Sequence, residues 1–209
     1  MSPDPNLITR HAPLDRVFHW ITALAVLLLL ASAFLPILGL KFSWVPLHWI
    51  TGVVLTAAVL FHLVRASLFQ RLRCMWIRVK DFRDVAGGRR AAKYSLAQKL
   101  MHAAMGIAVM VVTATGVIML AKVDTPFWKR NPYLLEPDTW GWVYVLHGAA
   151  ALAILTFTMA HIYFSLLPEK RAYLRAMIGG QMTREEAAVF HDPKRWSGQR
   201  KDDPRENHT

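Results

Sequence analysis

Cysteine is almost missing from this chain: Cys74 is the only one among 209 residues. That excludes an intrachain disulfide, a CxxC metal site and a four-cysteine iron–sulfur cluster. There is no CxxCH either, so covalently attached haem is excluded. Charge is scarce as well, at 19% of residues, where soluble domains carry about a quarter. Acidic residues are the scarcer sign, 14 against 25 Lys and Arg, giving a formal net charge of +11. The chain has no phosphate-binding glycine loop, no nucleophile triad and no carboxylate pair in a cleft. No stand-alone substrate chemistry is therefore read from it.

What is present is apolar. Hydrophobic residues make up 54% of the chain, with a mean hydropathy of +0.26, which excludes a disordered or collagen-like chain. They gather in four segments: Val17–Leu40, Pro46–Phe69, Gln98–Leu120 and Trp140–Leu167. Each is about 20 residues or longer, enough to cross about 30 Å of hydrocarbon as a helix. Runs such as Ala23–Ala33 are apolar on every face, which argues against a soluble helical bundle. The first segment is too long for a cleavable signal peptide and lacks a small-residue cleavage site. The expected fold is an all-α membrane protein, a bundle of four transmembrane helices over residues 17–167. A segment 1–16 precedes it, and a tail 168–209 follows. In the tail, Thr183-Arg184-Glu185-Glu186 is a capping-box pattern that predicts a short helix.

Basic residues set the orientation. Of the 25 Lys and Arg, 2 precede the first span, 10 run from Arg65 at the end of the second to Lys99 at the start of the third, and 9 follow the fourth, so 21 fall on one side. The other two loops hold 1 and 3. The N- and C-termini and the loop Arg71–Lys93 are therefore expected in the cytoplasm of a bacterium, with the chain multi-pass in the inner membrane. The basic surplus is a positive-inside signal that also favours anionic lipid headgroups. The basic loop carries no nucleic-acid-binding motif, so no nucleic-acid partner is expected. Trp44, Trp49, Trp128, Trp140 and Trp142 fall near the expected outer interface, where indoles settle.

Six of the nine histidines lie in or at the edge of the spans: His19, His48, His62, His102, His147 and His161. Ionisable residues within a membrane are costly and usually functional. His48 and His62 are 14 residues apart on the second span, and His147 and His161 are 14 apart on the fourth. Fourteen residues make about 3.9 turns and about 21 Å, so both members of each pair share a face at two depths. Two levels of imidazole across one bundle suit bis-histidine ligation of two b-type haems. Gly52, Gly148 and Ala149–Ala151 supply small residues close to His48 and His147 that admit a macrocycle. A zinc site is disfavoured because no cysteine or carboxylate joins the cluster. A proton relay lacks carboxylates deep in the spans. At the inner level the spacing leaves four candidates, His19, His62, His102 and His161, and by itself suggests His62 with His161.

Flanking motifs narrow this. The first span opens Leu14-Asp15-Arg16-Val17-Phe18-His19-Trp20, and the second has His48 followed by Gly52 and closes Leu63-Val64-Arg65. Lys93-Tyr94-Ser95-Leu96-Ala97-Gln98-Lys99 leads into the third. The tail reads Met177-Ile178-Gly179-Gly180 and later His191-Asp192-Pro193-Lys194-Arg195-Trp196. From about Thr9 to Trp196 the chain resembles the cytochrome b (gamma) subunit of membrane-bound formate dehydrogenase. That subunit belongs to a wider group including the cytochrome b of uptake nickel–iron hydrogenases. The resemblance implies that His48 and His147 hold the outer haem iron and that His19 and His161 hold the inner one, with His62 the rival inner ligand. It implies a menaquinone or ubiquinone site near Tyr94–Lys99, with Ser95, Gln98 and His102 as its candidate residues. Gln98 matches the family pattern, whereas Ser95 stands in place of its asparagine. The implied partners are an iron–sulfur subunit and a catalytic subunit, molybdenum- or tungsten-containing, on the periplasmic face, with electrons passing to quinone. Arg16 and Arg65 are candidates for haem-propionate or headgroup contacts.

Other readings stay open at this point. One is the cytochrome b of a nickel–iron hydrogenase or of a thiosulfate- or polysulfide-reductase-type complex. Another is a stand-alone di-haem quinol oxidoreductase. A third, of a different class, is a haem-free membrane anchor or small transporter. His11, His191 and His208 are read as surface residues, and Cys74 is given no role.

Overall fold

The computed structural model describes residues 6–69, 75–192 and 195. Four long helices dominate: α1 (Pro13–Phe34), α2 (Trp44–Phe69), α4 (Leu96–Met119) and α5 (Pro137–Leu166), with a short α3 (Val79–Ala86) before α4. Strand β1 (Leu7–Thr9) precedes α1, and α6 (Arg171–Gly179), β2 (Gln181–Thr183) and α7 (Arg184–Phe190) follow α5. Each of the four long helices is long and apolar enough to cross a membrane.

Helix boundaries follow local chemistry. α1 and α5 open on proline, whose missing N–H costs nothing in a first turn, and Asp15 and Asp138 complement the helix dipole there. The first span was expected to reach Leu40, but α1 ends at Phe34. Pro36 cannot continue the ladder, and the chain reverses through Gly39 at φ +91°. α4 starts with a reciprocal cap: Ser95 N–H donates to Gln98 Oε1 at 2.9 Å, and Gln98 N–H to Ser95 Oγ at 3.3 Å. The predicted tail helix is α7. Thr183 Oγ1 accepts from Glu186 N–H at 3.0 Å, and Glu186 Oε2 accepts from Thr183 N–H at 3.1 Å.

Two compact units result. One comprises Val17–Gln70 and Ala103–Ile162 and holds most of the four long helices. Its exterior is apolar, with Leu24, Leu60, Ile107, Val145 and Met159 all exposed, as lipid-facing side chains are. Only 11% of the α1, α2 and α4 span windows is buried, and 17% of that of α5.

The second, polar unit gathers chain from three places, within Met1–Arg16, Arg71–His102 and Tyr163–Thr209. β1 and β2 pair antiparallel, Leu7 opposite Thr183 and Thr9 opposite Gln181. Met182, Ala172, Ala176 and Ala187 form a small core under Ile8 and Tyr173. Gly180 has φ +86°, and its carbonyl accepts from the N–H groups of Arg10 at 2.9 Å and His11 at 3.2 Å. A Cβ there would meet the His11 carbonyl at 3.2 Å and the Arg16 guanidinium at 3.3 Å. Arg16 itself donates to the Ile178 carbonyl at 2.5 Å.

His191 was expected at the surface; it is 1% exposed. Its Nδ1–H donates to the Ala92 carbonyl at 2.5 Å, and Nε2 accepts from Tyr173 Oη–H at 2.9 Å and the Arg10 guanidinium at 3.2 Å. Desolvation, and then the nearby Arg10 charge, push its pKa down to about 4. The conspicuous tail motif thus begins with a structural clamp joining three distant segments. His208, Cys74 and Pro193, Lys194 and Trp196 of that motif lie outside the described residues.

Candidate functional site

The long helices bring four of the six span histidines together in two pairs. The His48 and His147 rings, on α2 and α5, have centroids 6.3 Å apart and planes 65° apart. The His19 and His161 rings, on α1 and α5, are also 6.3 Å apart, with planes at 60°. A metal–imidazole nitrogen bond is about 2.0 Å, and that nitrogen lies about 1.1 Å from its ring centre, so two imidazoles that met one metal from opposite sides would sit about 6.2 Å apart. Both pairs have this separation. Rotation about the metal–nitrogen axis leaves the interplanar angle free, so 60° and 65° are as compatible as any.

His62 is placed differently. Its ring stacks on Phe18, with centroids 4.8 Å apart and planes 16° apart. The 14-residue spacing alone suggested His62 with His161; the ring opposite His161 is that of His19. His19 and His62 lie at comparable depth, which spacing alone does not separate; the ring facing His161 is the one the family resemblance implied.

The residues fit haem better than a bare ion. Among the described residues no group of three or more His, Cys, Asp or Glu comes together as a metal cluster, whereas haem iron asks the protein for two axial ligands only. Protein covers the four residues only in part: His19, His48 and His147 are half-buried and His161 is exposed. Gly106 and Gly148 have no neighbour within 4 Å of where a Cβ would stand, which leaves room beside the helices for a flat macrocycle. At Gly116 a Cβ would stand 3.3 Å from His147 Cε1, so this glycine on α4 lets the His147 ring lie against it. The sequence reading missed Gly116 because it sits far from His147 along the chain.

Also missed were two hydroxyls. Ser32 Oγ lies 2.8 Å from His48 Nδ1, and Thr115 Oγ1 lies 2.9 Å from His147 Nδ1. Ser32 donates to the Leu29 carbonyl at 3.0 Å, and Thr115 to the Val111 carbonyl at 2.7 Å. Both side chains are buried. A small polar residue within an apolar run, at the depth of an already suspected histidine, was the available signal.

The sequence of residues 10–180 matches the family model of the prokaryotic cytochrome b561 proteins. The chain belongs to this family. The family's name implies a b-type haem, and its four long apolar helices mark the chain as a multi-pass membrane protein. Among individual proteins, the chain is 26% identical to the formate dehydrogenase cytochrome b556(fdo) subunit of Escherichia coli K12, over 91% of this chain and 92% of that one. The counterparts from the O6:H1 and O157:H7 strains match equally. The resemblance read from the motifs is therefore borne out.

The other expected site residues belong to the polar unit. Ser95 and Gln98 cap α4 as described, and His102 is exposed on the same helix, one turn beyond Gln98 and so on its face. Lys99, 8% exposed, binds both oxygens of Asp81 at 2.9 Å and the Trp76 carbonyl at 3.2 Å. Burial alone would raise the Asp81 pKa, but the Lys99 and Arg78 contacts outweigh it and hold it below its usual value. Trp140 is buried: its indole donates to the Pro132 carbonyl at 3.0 Å, and Lys122 Nζ lies 4.1 Å from its ring.

Proposed function

We propose that this chain is the membrane-anchoring di-haem cytochrome b subunit of a respiratory formate dehydrogenase-like complex. It would deliver electrons from a periplasmic iron–sulfur subunit, itself served by a catalytic molybdenum or tungsten subunit, to membrane menaquinone or ubiquinone. The observation that carries the reading is the pair of 6.3 Å imidazole separations, on helices of a cytochrome b family chain. His48 with His147, and His19 with His161, are the proposed axial ligands. When bound, the two b haems supply one-electron transfer between the two faces of the membrane. The chain's own work is to present neutral imidazoles from rigid helices at two depths about 21 Å apart and to keep water from them within an apolar shell.

The basic-residue asymmetry supports cytoplasmic termini in a bacterial inner membrane, with the 48/147 pair towards the periplasm and the 19/161 pair towards the cytoplasm. A quinone site on the cytoplasmic side would draw on Gln98 and His102, which share a helix face, and on Ser95. Ser95 and Gln98 shape the start of α4, so their first contribution is to set the backbone there.

The reading is tested by purifying the tagged chain from membranes in mild detergent. It expects an iron–sulfur subunit and molybdenum or tungsten to co-purify, and formate to reduce the b-haem absorption. Co-purified nickel, with reduction by hydrogen and not by formate, would transfer the chain to a hydrogenase complex.

A further inference from the structure

The two histidines of the 48/147 level are each met by a hydroxyl from the preceding long helix. Ser32 on α1 reaches His48 on α2, and Thr115 on α4 reaches His147 on α5. The device is the same in both helical hairpins. Each hydroxyl hydrogen is already committed to a carbonyl of its own helix, Leu29 for Ser32 and Val111 for Thr115. A hydroxyl whose hydrogen is donated presents only lone pairs to a further partner. With that hydrogen on the carbonyl, the imidazole nitrogen opposite is the donor, which places the proton on Nδ1 and leaves Nε2 as a free lone pair. Each hydroxyl is held by burial, Ser32 at 0% and Thr115 at 6% exposure.

We propose that Ser32 and Thr115 are positioning residues that fix His48 and His147 as Nδ1–H tautomers, aim Nε2 at the metal, and lower the reduction potential of the iron they ligate. The potential follows because an acceptor at Nδ1–H makes imidazole the more basic ligand, which favours the ferric state. This rests on the haem reading above for the potential, but the tautomer does not depend on it.

The test has two arms on the full-length chain. In the haem-free chain, side-chain 15N NMR reads the tautomers directly. His48 and His147 are expected as Nδ1–H, with Ser32→Ala and Thr115→Val each releasing its own partner into a tautomer mixture. In the haem-loaded chain, potentiometric titration is expected to show one of two potentials raised in either variant and about 10-fold weaker retention of that haem. Thr115→Ser restores both. Nε2–H tautomers in the unmodified chain would overturn the proposal. So would unchanged tautomers in the variants, or two potentials that both move together, which would signal a general packing defect. A chain that binds no haem yet shows hydroxyl-dependent Nδ1–H tautomers would refute the proposed function while upholding the role of Ser32 and Thr115 in fixing the tautomer.

Discussion

The ring of His161 faces that of His19 at 6.3 Å between centroids, while the His62 ring lies on Phe18 at 4.8 Å. One helix, α5, thus contributes a histidine to both levels, and its two partners come from different helices, α1 and α2. Replacing these side chains one at a time separates ligands from neighbours.

His19→Ala is expected to reduce the haem content from two to one per chain. His62→Ala is expected to keep both, because the ring opposite His161 is that of His19. Haem b per chain, by pyridine haemochrome, measures this; loss of one haem in His62→Ala with full content in His19→Ala would reverse the assignment.

Gly116→Ala puts a Cβ 3.3 Å from His147 Cε1. The His147 ring has to tilt, so the 48/147 level is expected to hold its haem less firmly while the 19/161 level is unchanged. Gly141→Ala, with nothing within 4 Å of its Cβ position, serves as the control and leaves both levels intact. Absorption spectra during dilution with a haem-scavenging apoprotein compare the two.

His191 provides a pH dependence in the polar unit. Its folded pKa, lowered to about 4 by desolvation and Arg10, is below the unfolded value of about 6.5. As pH falls, the unfolded chain takes up the proton first. The stabilisation is whole above about pH 6.5 and is lost as pH falls towards 4, to an extent of about 3 kcal/mol over the whole window. Amide hydrogen exchange in β2 and α7 should show protection falling between pH 7 and pH 4.5. His191→Gln is expected to be less protected at pH 7 and to change less with pH.

Lys99 is buried and its partner Asp81 is half-buried, so Lys99→Met leaves a carboxylate without its cation. The variant is expected to cost about 1 to 2 kcal/mol of stability, the range for a partly shielded polar group that loses its partner. The double variant Lys99→Met with Asp81→Asn should recover most of that loss. Thermal unfolding of the three proteins in one detergent gives the coupling.

Much of the fold was legible because its signals are local. Twenty apolar residues read as a span whatever surrounds them, and Thr183 with Glu186 states its own helix start. Ser95 with Gln98 carries the same signature, though the family resemblance drew it towards quinone chemistry first. The two levels of histidine were legible from spacing along single helices. What was hidden is non-local. Arg10 meets His191 across nearly the whole chain, so neither the buried clamp nor the β1–β2 pair could be seen from periodicity. Spacing alone could not choose His19 over His62, which turns on the rotation of one helix against another; the family resemblance supplied that expectation. Ser32 and Thr115 resemble ordinary small residues of an apolar helix until their neighbours across the hairpin are known.

The central claim is that the chain holds two haems between these imidazoles. A reduced-minus-oxidised spectrum with pyridine haemochrome quantification on the purified chain tests it most directly. The account predicts b-type bands and two haems per chain. A folded, helical protein with no Soret absorption would contradict it, and the paired histidines would then need a role without iron.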